Sequence, residues 1–366
     1  MPQTKKHVVV GLSGGVDSAV TASLLIEQGY KVTGVFMKNW EEDDKDEYCA
    51  AEADLADARS VCEKLAIELR TINFSHEYWE RVFTHFLRQY ESGLTPNPDV
   101  LCNREIKFKE FLDYAQALGA ELMATGHYAG ITRDKGVARL LRGRDLNKDQ
   151  SYFLYALNQN ALNKTLFPLH KLSKPEVRDR ARHLGLPVYD KKDSTGICFI
   201  GERRFKDFLG KYVKRSPGQV RDLEEQVIGV HDGLNFYTIG QRQGLGIGGA
   251  GDPWYVIRKD INDNLLYVAQ GHDHPALLST WLRSGELNWV SGQAPELPKT
   301  CTAKIRYRQG DQACTIVSAG EAMAEVRFAN AQRAVTPGQA VVFYDGEVCM
   351  GGGTIVDCEA LATTVV

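Results

Sequence analysis

Three short stretches of the chain carry residue types that do chemistry. The first, Gly11-Leu12-Ser13-Gly14-Gly15-Val16-Asp17-Ser18, follows a β-branched run, His7–Gly11, and opens a helical pattern. Its glycines let backbone amides curl around an anion, Ser13 and Ser18 add hydroxyl donors, and the helix N-terminus adds positive potential. The loop lacks the lysine of a Walker A motif, so γ-phosphate transfer is not the chemistry expected of it. The second stretch, Thr95-Pro96-Asn97-Pro98-Asp99-Val100-Leu101-Cys102-Asn103, reads as a proline-stiffened loop between two helices. Cys102 lies near the N-terminus of a helix expected from Ile106, with Arg104 and Lys107 close by; dipole and cations there favour thiolate. Asp99, three residues earlier, is placed to accept or deliver a proton. The third stretch, Lys191–Gly201, sets Cys198 after a polar, glycine-containing turn with cations on its flank. Two cysteines in loops of one nucleotide-binding domain suggest sulfur chemistry, one carrying a persulfide and the other resolving it. Two unrelated core thiols are the alternative, since spacing alone does not join positions 96 apart.

These residues need a scaffold, and the first 200 or so positions alternate strand and helix signals. That is the mark of an open parallel sheet with helices on both faces. Strands are expected at His7–Gly11, Tyr30–Met37, Ile67–Ile72 and Glu121–Thr125, and helices at Val16–Gln28, Ala50–Ala66, His76–Tyr90, Ile106–Leu118, Lys174–Leu184 and Arg203–Val213. Ile131–Leu141 reads as a hairpin around Asp134–Gly136. From Ser216 the texture changes to short strands and many glycines, which predicts all-β modules. The expected organisation is a catalytic nucleotide-binding domain over 1–208, a small, mostly β central domain over 209–278, and a β-barrel-like domain over 279–366.

At 366 residues the chain exceeds one ordinary core, and its hydrophobic content of 43% and charged content of 25% are those of a soluble globular protein. No apolar run approaches the ~20 residues that span a bilayer, and Met1–Val10 lacks a signal peptide's h-region, so no membrane association and a cytoplasmic location are expected. The eight cysteines are scattered widely with no C-x-x-C pair, which argues against a disulfide framework and against a structural zinc site. Net charge is −3, but residues 41–47 hold a local −5, and Lys191–Arg215 a local +5 suited either to a phosphate backbone or to a solvated helix face.

The hexapeptide Ser13-Gly14-Gly15-Val16-Asp17-Ser18 resembles the PP-loop of ATP pyrophosphatases, which release pyrophosphate and transfer AMP to an oxygen. ATP is then the expected substrate, with Mg²⁺ to shield the polyphosphate. Taken with Pro96–Asn103, Ala124-Thr125-Gly126-His127-Tyr128-Ala129, Asp149–Leu154, Lys191–Arg203, Tyr237–Gly249 and Lys304–Gln309, the chain resembles the bacterial tRNA-specific 2-thiouridylases, the MnmA family. The resemblance runs from end to end, and the cysteine segments and the Tyr237-Thr238-Ile239-Gly240-Gln241-Arg242 block are its specific parts.

That resemblance implies adenylation of the C2 oxygen of the wobble uridine in tRNAs for Lys, Glu and Gln, followed by replacement of the oxygen with sulfur and release of AMP. It implies that Cys198 receives a persulfide from an upstream sulfur-carrier protein, that Cys102 is the nucleophile and can form a disulfide with Cys198, and that Asp99 is the general acid/base. Gly11–Ser18, Met37 and Gly126 match nucleotide contacts; Asn97, Pro98, Asp99, His127, Lys148, Asp149, Gln150, Arg306, Tyr307 and Gln339 match tRNA-contacting positions. Arg306 and Arg308 are expected to alternate with Tyr307 along a strand, putting charge and ring on opposite sides. The rival readings are another PP-loop synthetase that amidates or ligates a small molecule, and a non-catalytic RNA-binding protein that uses ATP as a switch.

Overall fold

The computed structural model describes residues 5–41, 50–193 and 205–361. Its first sheet is parallel, with strands β1 (His7–Gly11), β2 (Lys31–Lys38), β3 (Glu68–Asn73) and β4 (Leu122–Ala124). Next in the chain come an antiparallel hairpin, β5 (Ala129–Asp134) and β6 (Val137–Arg142), and a short strand β7 (Thr165–Leu166). The sheet order is β3-β2-β1-β4-β7. The valines of β1 show why it sits centrally. Val8 and Val10 pack with Ala22, Leu25 and Ala58 from α1 (Val16–Glu27) and α2 (Ala50–Leu65), while Val9 faces the aromatic core with Phe83 and Phe111. A side-chain period of two buries both faces, as a helix-covered parallel sheet requires. The chain runs outward from β1 to β3 and then crosses back to β4 on the other side of β1. The carboxyl ends of β1 and β4 thus form the switch point at which such sheets bind ligands.

The helix expected over 76–90 is present as three consecutive pieces, Ser75–Tyr78, a π-helical Trp79–Phe83 and Thr84–Glu91. The helix expected from Ile106 begins eight residues earlier. Pro98–Leu101 opens it, Cys102–Glu110 continues it with π-helical winding, and Phe111–Ala117 completes it. Cys102 therefore lies within a helix and not in a loop. The reason is local: Asn97 caps the helix by accepting from the Asp99 amide at 3.1 Å, and Pro98 fills the first helical position, where its missing N–H costs nothing.

Beyond the first domain, β8 (Gly218–Arg221), β9 (Val227–His231), β10 (Trp254–Asp260) and β11 (Leu265–Gln270) form a small sheet in the order β10-β11-β8-β9. The remaining strands are β12 (Leu278–Trp289), β13 (Lys299–Lys304), β14 (Gln312–Ala319), β15 (Ala324–Arg333), β16 (Ala340–Asp345) and β17 (Val348–Cys358). They pair antiparallel in the order β12-β15-β14-β13-β16-β17, and β17 pairs back onto β12, closing a barrel. The β5–β6 hairpin of the first domain joins this barrel, with Val348 opposite Leu141 and Cys349 opposite Leu140. The barrel is thereby fastened to the parallel-sheet domain by main-chain pairing. Among the described residues, no helix is long and apolar enough to cross a membrane.

Candidate active site

The nucleotide loop leaves β1 at Gly11 and enters α1 at Val16. Ser18 Oγ donates to the Gly15 carbonyl at 3.0 Å and accepts from the Ser13 amide at 3.3 Å, which holds the loop curled. Gly14 has φ +74°, and a Cβ there would stand 2.3 Å from the Asp54 carbonyl oxygen, so only glycine fits. Gly126, just past β4, closes the other side: a Cβ on it would lie 2.9 Å from the Ser18 nitrogen. Met37, near the end of β2, reaches toward Gly11, whose Cβ would meet the Met37 methyl at 3.3 Å. The expected nucleotide contacts therefore converge on the switch point, with Ser13 exposed at its mouth.

A charge network ties this loop to the segment that leads toward Cys198. Lys174, buried at the start of the helix Lys174–His183, donates to Asp17 at 2.7 and 2.8 Å and pairs with Asp193 at 2.8 Å. Tyr128 OH donates to Asp17 at 2.8 Å. Asp193 also accepts from Lys148 at 2.6 Å and from Arg178 at 2.8 Å. Burial works against the Asp193 charge, but Lys148 and Lys174 outweigh it and hold the carboxyl at about 2. Two residues before Asp193, Lys191 donates to the Gly14 carbonyl at 3.1 Å and to Asp54 at 2.7 Å, and pairs with Asp57. Burial opposes its charge too, yet the two carboxylates keep its pKa above the ordinary lysine value. The start of the basic zone is thus committed to the protein's own carboxylates. Cys198 lies outside the described residues.

Cys102 is 1% exposed and packs in the aromatic cluster with Ile106, Phe108 and Phe111. The Thr95–Asn103 segment around it has unspent hydrogen-bonding capacity: Thr95 Oγ1 and Asn103 Oδ1 are buried without a partner, while Asn103 Nδ2 donates to the Phe153 carbonyl at 3.3 Å. Asp99 precedes Cys102 by three positions on the same helix, so the two share a face. Burial raises the Asp99 pKa, and the nearby Lys107 cation pulls part of that back. Lys107 also reaches His127 electrostatically. Burial is the larger cause, and together they hold the His127 pKa well below its usual value, so the ring stays neutral. Its Nδ1 lies 2.7 Å from Thr125 Oγ1, and its ring packs against those of Phe108 and Phe167.

Comparison with known proteins now gives this geometry a family. The descriptions of the matching family models are tRNA methyl transferase HUP domain for residues 6–202, tRNA methyl transferase PRC-barrel domain for 206–270, and aminomethyltransferase beta-barrel domain for 279–355. Curated relatives named tRNA-specific 2-thiouridylase MnmA match end to end. That of Pseudomonas fluorescens SBW25 is 58% identical over 97% of this chain and 96% of its own length. That of Methylobacillus flagellatus is 57% identical over 96% and 99%, and that of Klebsiella pneumoniae 56% over 97% and 98%. The chain belongs to the tRNA-specific 2-thiouridylase MnmA family.

Of the positions the MnmA resemblance assigns to tRNA contact, several are spent inside the fold. Asp149 is buried and accepts from the amides of Gly143 and Ser151 and from Ser151 Oγ. Gln150 Oε1 accepts from the Tyr128 amide at 3.0 Å and its own amide donates to the Tyr128 carbonyl, which braces the Gly126–Tyr128 turn. Gln339 Nε2 donates to the Thr95 carbonyl at 2.7 Å, so the barrel grips the chain just before Asn97–Cys102. Arg306 is an exposed residue, but its guanidinium turns back onto the fold, donating to the Arg333 carbonyl and to that of Ala334 at 3.4 Å.

The strand placement of Arg306–Arg308 is corrected by the structure. β13 ends at Lys304, and Ile305–Gln309 turns back toward β14, with Gln309 Oε1 accepting from the Ile305 amide at 2.8 Å and Arg308 at φ +65°. The side chains do not alternate across a sheet. The Tyr307 ring packs 4.4 Å from Phe153, and the Arg308 guanidinium lies 5.5 Å from the Tyr307 centroid. Lys174 joins the site without having been singled out in the sequence, and Tyr128 and Asn103 were named there only as members of motifs, with no role of their own. Lys174 stood in a Ser-Lys-Pro helix start, whose signal concerns capping and says nothing of Asp17.

Proposed function

We propose that this protein is an ATP-dependent tRNA uridine 2-sulfurtransferase that acts in the cytoplasm on the wobble uridine of tRNAs for Lys, Glu and Gln. The observation that carries the reading is the meeting of the adenylating loop with the Asp99–Cys102 helix at one sheet edge. The Gly11 backbone faces Phe111 of that helix, and Lys107 of the same helix acts on both Asp99 and His127. MgATP, bound as substrate over Gly11–Ser18 with Met37 and Gly126 at its sides, would transfer AMP to the uridine C2 oxygen and release pyrophosphate. A carbonyl oxygen leaves poorly and an adenylate leaves well, which explains why a sulfurtransferase needs this loop.

In this reading an upstream carrier protein loads a persulfide on Cys198. The Cys102 thiolate attacks the Cys198 sulfur, a Cys102–Cys198 disulfide forms, and the expelled hydrosulfide adds at C2 as AMP departs. Asp99 moves the proton. Lys148, Arg306 and Tyr307 offer charge and a ring to the anticodon arm, whereas His127, Asp149, Gln150 and Gln339 shape the surface it meets. The target base must leave its stack to reach the site.

The test is incubation with MgATP, a persulfide source and unmodified tRNA, followed by mass analysis of the wobble nucleoside. 2-Thiouridine is expected, with AMP and pyrophosphate in equal amounts. Its absence, under conditions where the protein binds both ATP and tRNA, would overturn the reading. Full activity of Cys102→Ser and Cys198→Ser would favour a small-molecule synthetase instead.

A further inference from the structure

Two cysteines far from the nucleotide loop face each other inside the barrel. Cys301 on β13 and Cys314 on β14 are directly opposed in the antiparallel register, and their sulfurs lie 3.6 Å apart. Both point into the barrel core beside Ile316, Val326 and Phe328. Opposed positions on adjacent antiparallel strands have the Cα separation that a disulfide bridges, so pairing needs the sulfurs to close by roughly 1.5 Å and no strand rearrangement. The 12 residues they bracket, 302–313, include the turn that carries Arg306, Tyr307 and Arg308.

The two thiols are not equivalent. The contact with the Cys314 sulfur, together with the Lys299 ammonium, holds Cys301 below the ordinary thiol range against the effect of burial. The same contact and burial push Cys314 up. Cys301 is also the more accessible, 8% exposed against 3% for Cys314. Its neighbour Lys299 pairs with Asp345 at 2.6 Å at the end of the barrel. The attacking thiolate and the resolving thiol are therefore distinguished by position and by charge.

We propose that Cys301 and Cys314 form a redox modification site, separate from the catalytic cysteines, that reacts with low-molecular-weight disulfides and staples the Arg306–Arg308 turn. The Cys301 thiolate attacks one sulfur of a disulfide RSSR, forms a mixed disulfide and releases RS⁻. Cys314, giving up its proton, then attacks the Cys301 sulfur and expels the second RS⁻. In sum two protein thiols lose two electrons and two protons, and one RSSR becomes two RSH. The staple removes conformational freedom from the turn that packs Tyr307 on Phe153 and hangs Arg306 on the Arg333 and Ala334 carbonyls. It goes beyond the thiolation reading and does not depend on it.

The experiment equilibrates the full-length protein with glutathione disulfide, blocks remaining thiols under denaturing conditions, and maps peptides by mass. Wild type is expected to yield a Cys301–Cys314 linked peptide that dithiothreitol removes. Cys314→Ser should carry glutathione on Cys301, and Cys301→Ser should leave Cys314 open to the blocking reagent. Both variants should keep basal activity in reducing buffer, and alanine variants replace them if serine unsettles the core. Amide exchange over residues 306–311 should slow by about ten-fold in oxidised wild type and stay unchanged in Cys301→Ser, the signature of loop closure. Full labelling of both thiols in equilibrated wild type would overturn the proposal. Glutathione on Cys314 in the Cys301→Ser protein, at the rate seen for Cys301, would overturn the assignment of roles.

Discussion

Lys174 reaches from the start of its helix to Asp17 in the nucleotide loop, and the same ammonium lies 2.8 Å from Asp193. One buried cation therefore holds two carboxylates, one on the loop proposed to bind ATP and the other five residues before Cys198. Without Lys174, Asp17 keeps only the Tyr128 hydroxyl while Asp193 keeps Lys148 and Arg178, so the loss falls mainly on the nucleotide loop, at about 2 kcal/mol. Lys174→Met should lower kcat/KM for ATP by ten-fold or more and reduce thermal stability, while Lys174→Arg keeps most of both. The check is AMP release with saturating tRNA alongside a melting curve. Unchanged ATP kinetics in a stably folded Lys174→Met protein would show that the clamp is structural only.

Lys107 links Asp99 to a pH profile. Burial raises the Asp99 carboxyl and Lys107 opposes the rise. If Asp99 works as a base it must be ionised, so the acid limb of kcat/KM follows its pKa. Lys107→Met removes the opposing cation, and the limb should move to higher pH, with activity lost at the acid end and retained on the alkaline plateau. Asp99→Asn should abolish the limb along with most of the rate. A limb that stays in place in Lys107→Met assigns it to another group.

How much of this was open to a reader of the sequence differs by kind of signal. The β1 strand, the nucleotide loop and the hairpin at 129–142 declare themselves locally, through β-branched runs, glycine and a turn. The start of the Cys102 helix was equally local, in Asn97-Pro98, but two prolines within three positions read as a loop when the second is in fact the first helical residue. The joining of β6 to β17 could not be read at all, since Leu141 and Val348 meet across more than half the chain and nothing in either strand names the other. The same holds for Lys174 with Asp17, 157 positions apart, and for Gln339 with Thr95, 244 apart. Tyr307 was misplaced because the alternating residues of Lys304–Arg308 imitate a strand, while Gln309 and the positive φ of Arg308 make a turn.

Gly126 sets the closeness of the nucleotide loop to β4. A Cβ there would stand 2.9 Å from the Ser18 nitrogen and 3.0 Å from the Asp17 carbonyl carbon, both backbone atoms with no side-chain freedom to yield. Gly126→Ala should therefore push the first turn of α1 away from the β4 end and weaken ATP binding by about ten-fold, roughly 1.4 kcal/mol. Isothermal titration with a non-hydrolysable ATP analogue measures this directly. Wild-type affinity in Gly126→Ala would mean that the loop relaxes without consequence for the nucleotide.

Gln339 tests whether the barrel positions the helix that carries Asp99 and Cys102. Its side-chain amide donates to the Thr95 carbonyl at 2.7 Å, and the Thr95 amide donates to the Pro337 carbonyl at 3.1 Å, so two bonds join the barrel to the residues just before the Asn97 cap. Between these contacts lies Gly338, with φ +93° and space for a Cβ only 2.8 Å from the Thr95 nitrogen. Gln339→Ala removes one hydrogen bond, about 1 kcal/mol, and should lower kcat/KM for tRNA about five-fold with the KM for ATP unchanged. Gly338→Ala forces the backbones apart and should lower it further. The ordering is the decisive feature: loss of a bond shifts the helix start a little, and a steric wedge shifts it more, while the nucleotide loop meets this helix at Phe111, well beyond its start. Equal tRNA kinetics in wild type and both variants would detach the barrel from the positioning of Asp99 and Cys102 and leave it as a binding surface alone.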